Sequence, residues 1–262
     1  MENDMLDLGF WQLVAAYLFI ILLLIIVKLR KIPREKEIFI ATLRMTLQLL
    51  LVGYVLMYIF EQPHPLITIG IILFMVSFAI FNIYKRVDME VPRRLKKMVA
   101  FSMIIGTIAS TLYFNLVVIQ FDPWYDPRYF IPIAGMIIGN SMTGISLGVQ
   151  TLVEQMKSKK KHIEAALMLG ATPKEATRKI VNHSFDSAIL PTINSMVGIG
   201  IVFLPGMMTG QILAGASPVI AIKYQIAIML GITGSVAFTV IIFVQQGYKI
   251  YFNKEKQLVE ES

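Results

Sequence analysis

The side chains able to do chemistry are few and scattered. His64, His162 and His183 stand apart from one another, without the spacing of a zinc or protease motif, and each reads as a surface histidine. The chain has no cysteine, which removes disulfides, thiolate metal sites and a cysteine nucleophile. No Gly-rich loop ends in Gly-Lys-Ser or Gly-Lys-Thr, so nucleotide phosphates have no cradle of the usual kind, and no catalytic residue can be named. Sixteen methionines offer thioether sulfur. Met207 and Met208 follow Pro205-Gly206, and both a metal ligand and a lipid-compatible packing residue stay open for them. One segment carries a denser pattern. From Lys159 to Ile180 the chain reads KKKHIEAALMLGATPKEATRKI. Ile163, Ala166, Leu167 and Gly170 share one helical face, and Gly170 suits a left-handed stop. Thr172 can cap, Pro173 fits the first helical position, and Glu175 completes a capping box. The expected structure is helix, turn, helix. The small residues Ala165, Ala166 and Gly170 beside Glu164 let another protein approach closely, which is the chemistry of docking. An amphipathic loop resting on anionic lipid is the rival reading, supported by the lysine run.

The elements that must hold this segment are apolar helices. Hydrophobic residues make up 56% of the 262 residues and charged ones 16%, with a mean hydropathy of +0.68, far more apolar than a soluble domain needs. The apolar residues gather in runs of about 20, enough to cross a hydrocarbon core. They lack the alternation of barrel strands, so helices satisfy their backbone. Seven runs stand out: Leu8 to Val27, Ile38 to Phe60, Leu66 to Tyr84, Met98 to Gln120, Phe130 to Val153, Ser187 to Leu204 and Val219 to Gly247. The expectation is an all-α polytopic membrane protein of about seven transmembrane helices. It forms one transmembrane domain over residues 1–262, with a cytoplasmic loop at 154–183. The leader from Met1 to Leu8 carries Glu2, Asp4 and Asp7 in place of basic residues and no cleavage site follows, so the first run reads as a retained anchor.

Basic residues fall in alternate loops: Lys28, Arg30, Lys31, Arg34 and Lys36; then Lys85, Arg86, Arg93, Arg94, Lys96 and Lys97; then Lys157, Lys159, Lys160, Lys161, Lys174, Arg178 and Lys179; and last Lys249, Lys254 and Lys256. On the opposite side Arg128 stands alone among Glu2, Asp4, Asp7, Glu61, Asp122 and Asp126. This places the N-terminus outside and the C-terminus in the cytoplasm of a cell (inner) membrane. The net charge of +7 is a topology signal and needs no nucleic-acid partner.

Within the spans, Gly135 with Gly139 and Gly144 with Gly148 bare one helical face for close packing. Asn140 and Ser141, and Asn194 and Ser195 in the next run, are polar at mid-span and are expected to face protein or a water-filled path. Pro205-Gly206 is expected to break the sixth run as an outer gate or re-entrant turn. Asp186 reads as a charge at a helix N-terminus, and Arg44 and Lys223 as snorkelling anchors.

Glu164-Ala165-Ala166, three residues, then Gly170 resembles the EAA loop of ABC transporter permeases. Ile131-Pro132-Ile133-Ala134-Gly135-Met136 with Gly139-Asn140-Ser141-Met142, Leu204-Pro205-Gly206-Met207-Met208-Thr209-Gly210 and Ile222-Lys223-Tyr224-Gln225 resemble signature stretches of the FetB-type permeases, a small family linked to iron export. The resemblance returns in Arg44, Gln48 and Gly53-Tyr54-Val55-Leu56 and covers most of the chain apart from the first helix and the tails. It implies a homodimer of permeases in lipid carrying two copies of a cytoplasmic ABC ATPase, with ATP and Mg on that partner and no cofactor on this chain, which is then not an enzyme by itself. It implies ATPase coupling through Glu164, Ala165, Ala166, Gly170, Thr172 and Pro173. It places a translocation path or gate at Asn140, Ser141, Met142, Asn194, Ser195, Pro205, Gly206, Met207 and Met208. Export and iron come from the resemblance alone. Ferric iron wants several hard oxygen ligands and the spans carry almost no carboxylate, so ferrous iron, a chelate or a small organic solute stay open as cargo. Two other classes stay open: a secondary transporter, which would show internal repeats and acidic or histidine relays, and a non-transporting membrane partner or sensor that docks a cytoplasmic protein.

Overall fold

The computed structural model describes residues 9–87 and 92–259; the acidic leader with Glu2, Asp4 and Asp7 lies outside the described residues. The described elements are helices: α1 (Phe10–Leu29), α2 (Glu35–Glu61), α3 (Pro65–Arg86), α4 (Arg93–Tyr113) with a π-helical turn (Phe114–Ile119), α5 (Pro127–Ser158), α6 (Lys160–Met168), α7 (Pro173–Gly198), α8 (Gly206–Leu213) and α9 (Pro218–Gly247), then a 3-10 turn (Tyr248–Tyr251). They form two compact units, residues 1–62 and 63–262.

In the first unit, α1 and α2 form a hairpin whose turn passes through Lys31 in the left-handed region. Tyr17 and Thr46 share a hydrogen bond of 2.5 Å between their hydroxyls. Thr46 and Thr42 each also donate to the carbonyl four residues back, which is how a hydroxyl is satisfied inside an apolar helix.

In the second unit α5 is central and packs on α3, α4, α7 and α9. Its buried side chains Ile133, Ile137, Ile145 and Leu152 meet Leu95 and Met103 of α4 and Phe243 of α9 in one apolar core. Glycines set the closest approaches. A Cβ on Gly148 would lie 3.4 Å from Ala188 Cβ and 3.6 Å from the Ser184 carbonyl of α7, and one on Gly144 only 2.9 Å from Val236 of α9. A Cβ on Gly106 of α4 would fall 2.8 Å from Thr239 Cα of α9. Gly135 approaches Met75 of α3, whereas Gly139 faces open space. These pairings fix direction. Ser141 lies level with Ser235 and Leu152 with Gly247, so α9 runs parallel to α5. Phe114 meets Gly231, so α4 is antiparallel to α9. Ser184 and Ala188 meet Gly148 and Gly144, so α7 is antiparallel to α5.

Six helical stretches are long and apolar enough to cross a membrane among the described residues: Phe10–Leu29, Glu35–Glu61, Pro65–Arg86, Arg93–Ile119, Pro127–Ser158 and Pro218–Tyr251. The expected run from Ser187 to Leu204 is not a helix of its own. It is the apolar second half of α7, whose first half carries Lys174, Glu175, Arg178, Lys179 and Asp186. No breaker separates Pro173 from Ser187, so the charged and apolar halves of α7 are continuous. Asp186 therefore lies in mid-helix, and the acid in the first turn of α7 is Glu175. The break also moves: α7 stops at Gly198, the chain turns through Gly200 at φ +85, and Pro205 caps the start of α8.

These approaches predict opposite signs for two glycine-to-alanine changes. Gly106→Ala drives a methyl into the Thr239 backbone and should destabilise by about 1–3 kcal/mol. Gly70→Ala on α3 meets nothing within 4 Å and should stabilise by about 0.5–1 kcal/mol through helix propensity. Melting of the detergent-solubilised protein compares them directly; equal melting temperatures would contradict the packing.

Candidate functional site

The segment from Lys159 to Ile180 folds as its sequence dictates. Lys159 is the one residue between α5 and α6, and α6 spans Lys160–Met168. Ile163 is buried and Leu167 half-buried, while Ala165 is exposed and Glu164 and Ala166 are intermediate. Gly170 takes φ +90, a left-handed turn that a side chain resists, and nothing lies within 4 Å of its missing Cβ. Beside it Met168 and Leu169 are 87% and 89% exposed. The turn therefore presents two large apolar side chains and a bare backbone outward.

The restart is the predicted capping box. Thr172 Oγ1 accepts from the Glu175 N–H at 3.3 Å, and Glu175 Oε2 accepts from the Thr172 N–H at 2.8 Å and from the Thr172 hydroxyl at 2.7 Å. Pro173 occupies the first helical position, where its missing N–H costs nothing. Hydrogen bonds from the Thr172 backbone and then its hydroxyl hold the Glu175 carboxyl below the ordinary glutamate range. The three histidines are exposed, and His64 caps α3 by accepting the Leu66 N–H at 3.2 Å.

The expected path residues do not form one set. Asn140 and Asn194 sit on exposed faces of α5 and α7, Asn140 donating to the Met136 carbonyl at 2.7 Å. Ser141 turns the other way, is fully buried, and shares a 3.1 Å hydrogen bond with Ser235 of α9. Ser195 donates to the Pro191 carbonyl at 3.0 Å. Met142 and Met207 are half-buried and Met208 is buried against the bundle. Pro205 is the extended N-cap of α8 and Gly206 its first helical residue, and the backbone that needs glycine lies at Gly200 and Gly215 instead. No group of three or more His, Cys, Asp or Glu converges as a metal site among the described residues.

The sequence reading passed over a second polar set. Thr107, Thr111 and Asn115 recur every four residues on the buried face of α4, opposite Ser235 and Thr239 of α9. Thr111 Oγ1, Asn115 Oδ1 and Thr239 Oγ1 are buried there without a hydrogen-bond partner, each at a cost of about 1–3 kcal/mol in a dry interior. The interval of four was the available signal.

The family model of uncharacterised protein family UPF0014 matches residues 10–252. The chain belongs to that family. It is 34% identical to the probable iron export permease protein FetB of Escherichia coli (strain K12), across 95% of this chain and 94% of that one. It is 35% identical to the UPF0014 membrane protein YjkA of Bacillus subtilis (strain 168), across 92% and 94%. It is 36% identical to the protein ALUMINUM SENSITIVE 3 of Arabidopsis thaliana, across 93% and 88%. No solved structure matches the chain. Membrane-protein relatives and six apolar helices together make this family member a multi-pass membrane protein.

The capping box carries its own pH dependence. Because the folded Glu175 value lies below the unfolded one, its contribution is complete above the ordinary glutamate range and is lost as pH falls through the lowered value. Thr172→Ala removes the acceptor of the Glu175 N–H. Hydrogen exchange of that amide at neutral pH should quicken about fivefold, the worth of an N-cap, and exchange unchanged from wild type would contradict the cap.

Proposed function

We propose that this chain is the membrane-spanning permease subunit of an ABC transporter that exports iron or a related metal. ATP and Mg are held by a separate cytoplasmic ATPase. The observation that supports this most is the turn at Gly170. It exposes Met168 and Leu169 beside a bare backbone, and it is joined to α5 through Lys159 alone and to α7 through a rigid capping box. A push on that turn reaches two long helices at once. Lipid contact would use the apolar pair but would not need the left-handed glycine and the cap. Iron and export come from the name of the Escherichia coli relative, the probable iron export permease protein FetB.

The N-terminus lies outside and the C-terminus inside, with seven crossings. Helix direction supports this count: α5 and α9 run parallel, so the chain returns between them, and α7 is the antiparallel element that does so. The permease works as a homodimer. The exposed amides of Asn140 and Asn194 favour it, since a polar group far along an apolar helix needs protein or water beside it and not lipid. Pro205 to Met208 then form part of a gate at the end of the bundle opposite the lysine-rich turn, with α8 packed on α9.

Gly170→Leu and Glu164→Lys should each abolish capture of the cytoplasmic ATPase that co-purifies with the wild-type chain, and abolish transport, at unchanged membrane levels. A lipid-resting turn predicts the opposite sign for Glu164→Lys, stronger membrane association by about 1 kcal/mol. Retention of ATPase and transport by both variants overturns the coupling role.

In intact cells, external protease should cleave a tag on the N-terminus and spare one on the C-terminus. Both tags on one side would overturn the seven-crossing topology.

A further inference from the structure

A lysine on an apolar helix of a membrane protein must find a partner for its charge. Lys223 is exposed on α9, and no carboxylate among the described residues forms an ion pair with it. The 30 residues of α9, Pro218–Gly247, rise about 45 Å, the thickness of a bilayer with both headgroup layers. Lys223 lies five residues in from Pro218, about 7.5 Å along the axis, where headgroups give way to hydrocarbon. Gly247 at the other end packs on Leu152 and Leu95, close in sequence to Lys157 and Arg94. Lys223 therefore belongs to the leaflet away from the lysine-rich turn.

From Lys223 inward the surface is concave. A cavity of about 550 Å³ opens between α9 and the end of α4 with its π-helical turn, and Lys223 lines it. Its walls are mostly apolar, with Tyr113, Phe114 and Val118 on one side and Ile226 and Leu230 on the other. The lining residues of α9 recur at intervals of three and four from Lys223 to Ser235, one stripe along the helix. Gly234 keeps the stripe open, because a Cβ there would meet nothing within 4 Å. The stripe is about 18 Å long, against roughly 15 Å for one leaflet of the hydrocarbon core. The groove thus runs from headgroup level to the middle of the bilayer.

Shape and charge together choose the occupant. A polar solute gains nothing from apolar walls, and an uncharged chain leaves the ammonium of Lys223 without an anion. A second copy of this face, related by a two-fold axis along the membrane normal, would bring another Lys223 to the same depth, like charge facing like charge. An anionic phospholipid meets both demands. Its phosphate accepts charge-assisted hydrogen bonds from the ammonium, and one acyl chain fills the apolar groove below. Lipid on the convex faces of the bundle finds neither the enclosure nor the fixed charge.

We propose that the α4–α9 groove is a binding site for one anionic phospholipid, with its phosphate on Lys223 and one acyl chain along Ile226, Leu230 and Gly234. The lipid fills the space that the two helices leave beside the contact of Phe114 with Gly231. The site requires only that α9 crosses the membrane and does not depend on the transport reading.

The chain has no native cysteine, so one thiol can carry a local reporter. Leu230→Cys labelled with bimane stands on the groove wall, about 10 Å along the axis from Lys223. Phe74→Cys on an exposed face of α3 is the control. Each full-length protein is placed in phosphatidylcholine nanodiscs and titrated with phosphatidylglycerol or phosphatidylcholine that bears a nitroxide halfway along one acyl chain. At Leu230, half-quenching should need at least tenfold less of the phosphatidylglycerol, while the label at Phe74 should not distinguish the two lipids. Equal quenching by both lipids at Leu230 overturns the site. Lys223→Gln should erase the preference, and a preference that survives it overturns the pairing with phosphate. Gly234→Leu fills the groove, so half-quenching should need at least fivefold more phosphatidylglycerol; unchanged quenching overturns the seat of the acyl chain. Both positions are exposed, and melting in lipid-free detergent checks that both variants fold. Excess glycerophosphate, a headgroup without chains, should leave the preference intact; its loss would make Lys223 a site for a soluble anion and overturn the lipid. Unlabelled Leu230→Cys should stay monomeric on mild oxidation, and a disulfide between two chains would give the groove to a second copy.

Discussion

At Gly144 and Gly148 the backbone of α5 comes against α7 and α9 without a side chain between, and the arrangement of the second unit depends on that approach. A methyl at Gly144 would meet Val236 at 2.9 Å and the Ala188 carbonyl at 3.3 Å, so any larger residue would push α5 out of the centre. Where lipid tails are as apolar as the helix side chains, such close contacts supply association that the hydrophobic effect does not. α5 and α7 pack closely there, α7 leads out of the Gly170 turn and α5 reaches it through α6, so the turn is tied to the bundle interior on both sides.

That constraint explains which parts of the chain were legible in its residues. The turn was readable because everything that determines it is local. Gly170 supplies a left-handed stop, Thr172, Pro173 and Glu175 supply a cap, and none needs a distant neighbour. The length of α7 was not readable in the same way. A hydropathy run sees where apolar residues begin, at Ser187, but a helix ends only where its backbone is broken. The charged residues from Lys174 to Asp186 are good helix formers with no glycine or proline among them. Propensity therefore joins what hydropathy divides, and the charged and apolar halves of α7 become one rod. The same logic moved the break from Pro205-Gly206 to Gly198 and Gly200: proline opens a helix more readily than it closes one.

The polar mid-span residues teach a different lesson. Asn140, Ser195, Thr143 and Ser146 all return a hydrogen bond to the carbonyl four residues back, so a polar letter within an apolar run does not by itself mark a path. Such a residue meets part of its hydrogen-bonding need within its own helix. What distinguishes the α4–α9 seam is failure of that self-sufficiency. Thr107 bonds its own carbonyl four residues back, while Thr111 and Thr239 keep hydroxyl oxygens without partners and Asn115 keeps its amide oxygen. That difference depends on side-chain rotamers and on the neighbouring helix, neither of which a linear pattern contains.

On the proposed permease reading, movement of rigid pieces must become a change of access, and the packing bears on which pieces move together. α5 and α7 cannot slide past each other without Ala188 striking the backbone at Gly144 and Gly148. α4 and α9 are pinned at Gly106 by Thr239, yet two turns further on the ring of Phe114 rests on bare Gly231 and a cavity begins. A Cβ on Gly231 would fall 2.6 Å from that ring, nearer than either glycine of α5 comes to α7, so α4 and α9 are interlocked at this level too, directly where the π-helical turn begins. On that reading a push at Gly170 reaches α7 through the capping box and α5 through α6 and Lys159, and α5 meets α9 at Val236 and Ser235.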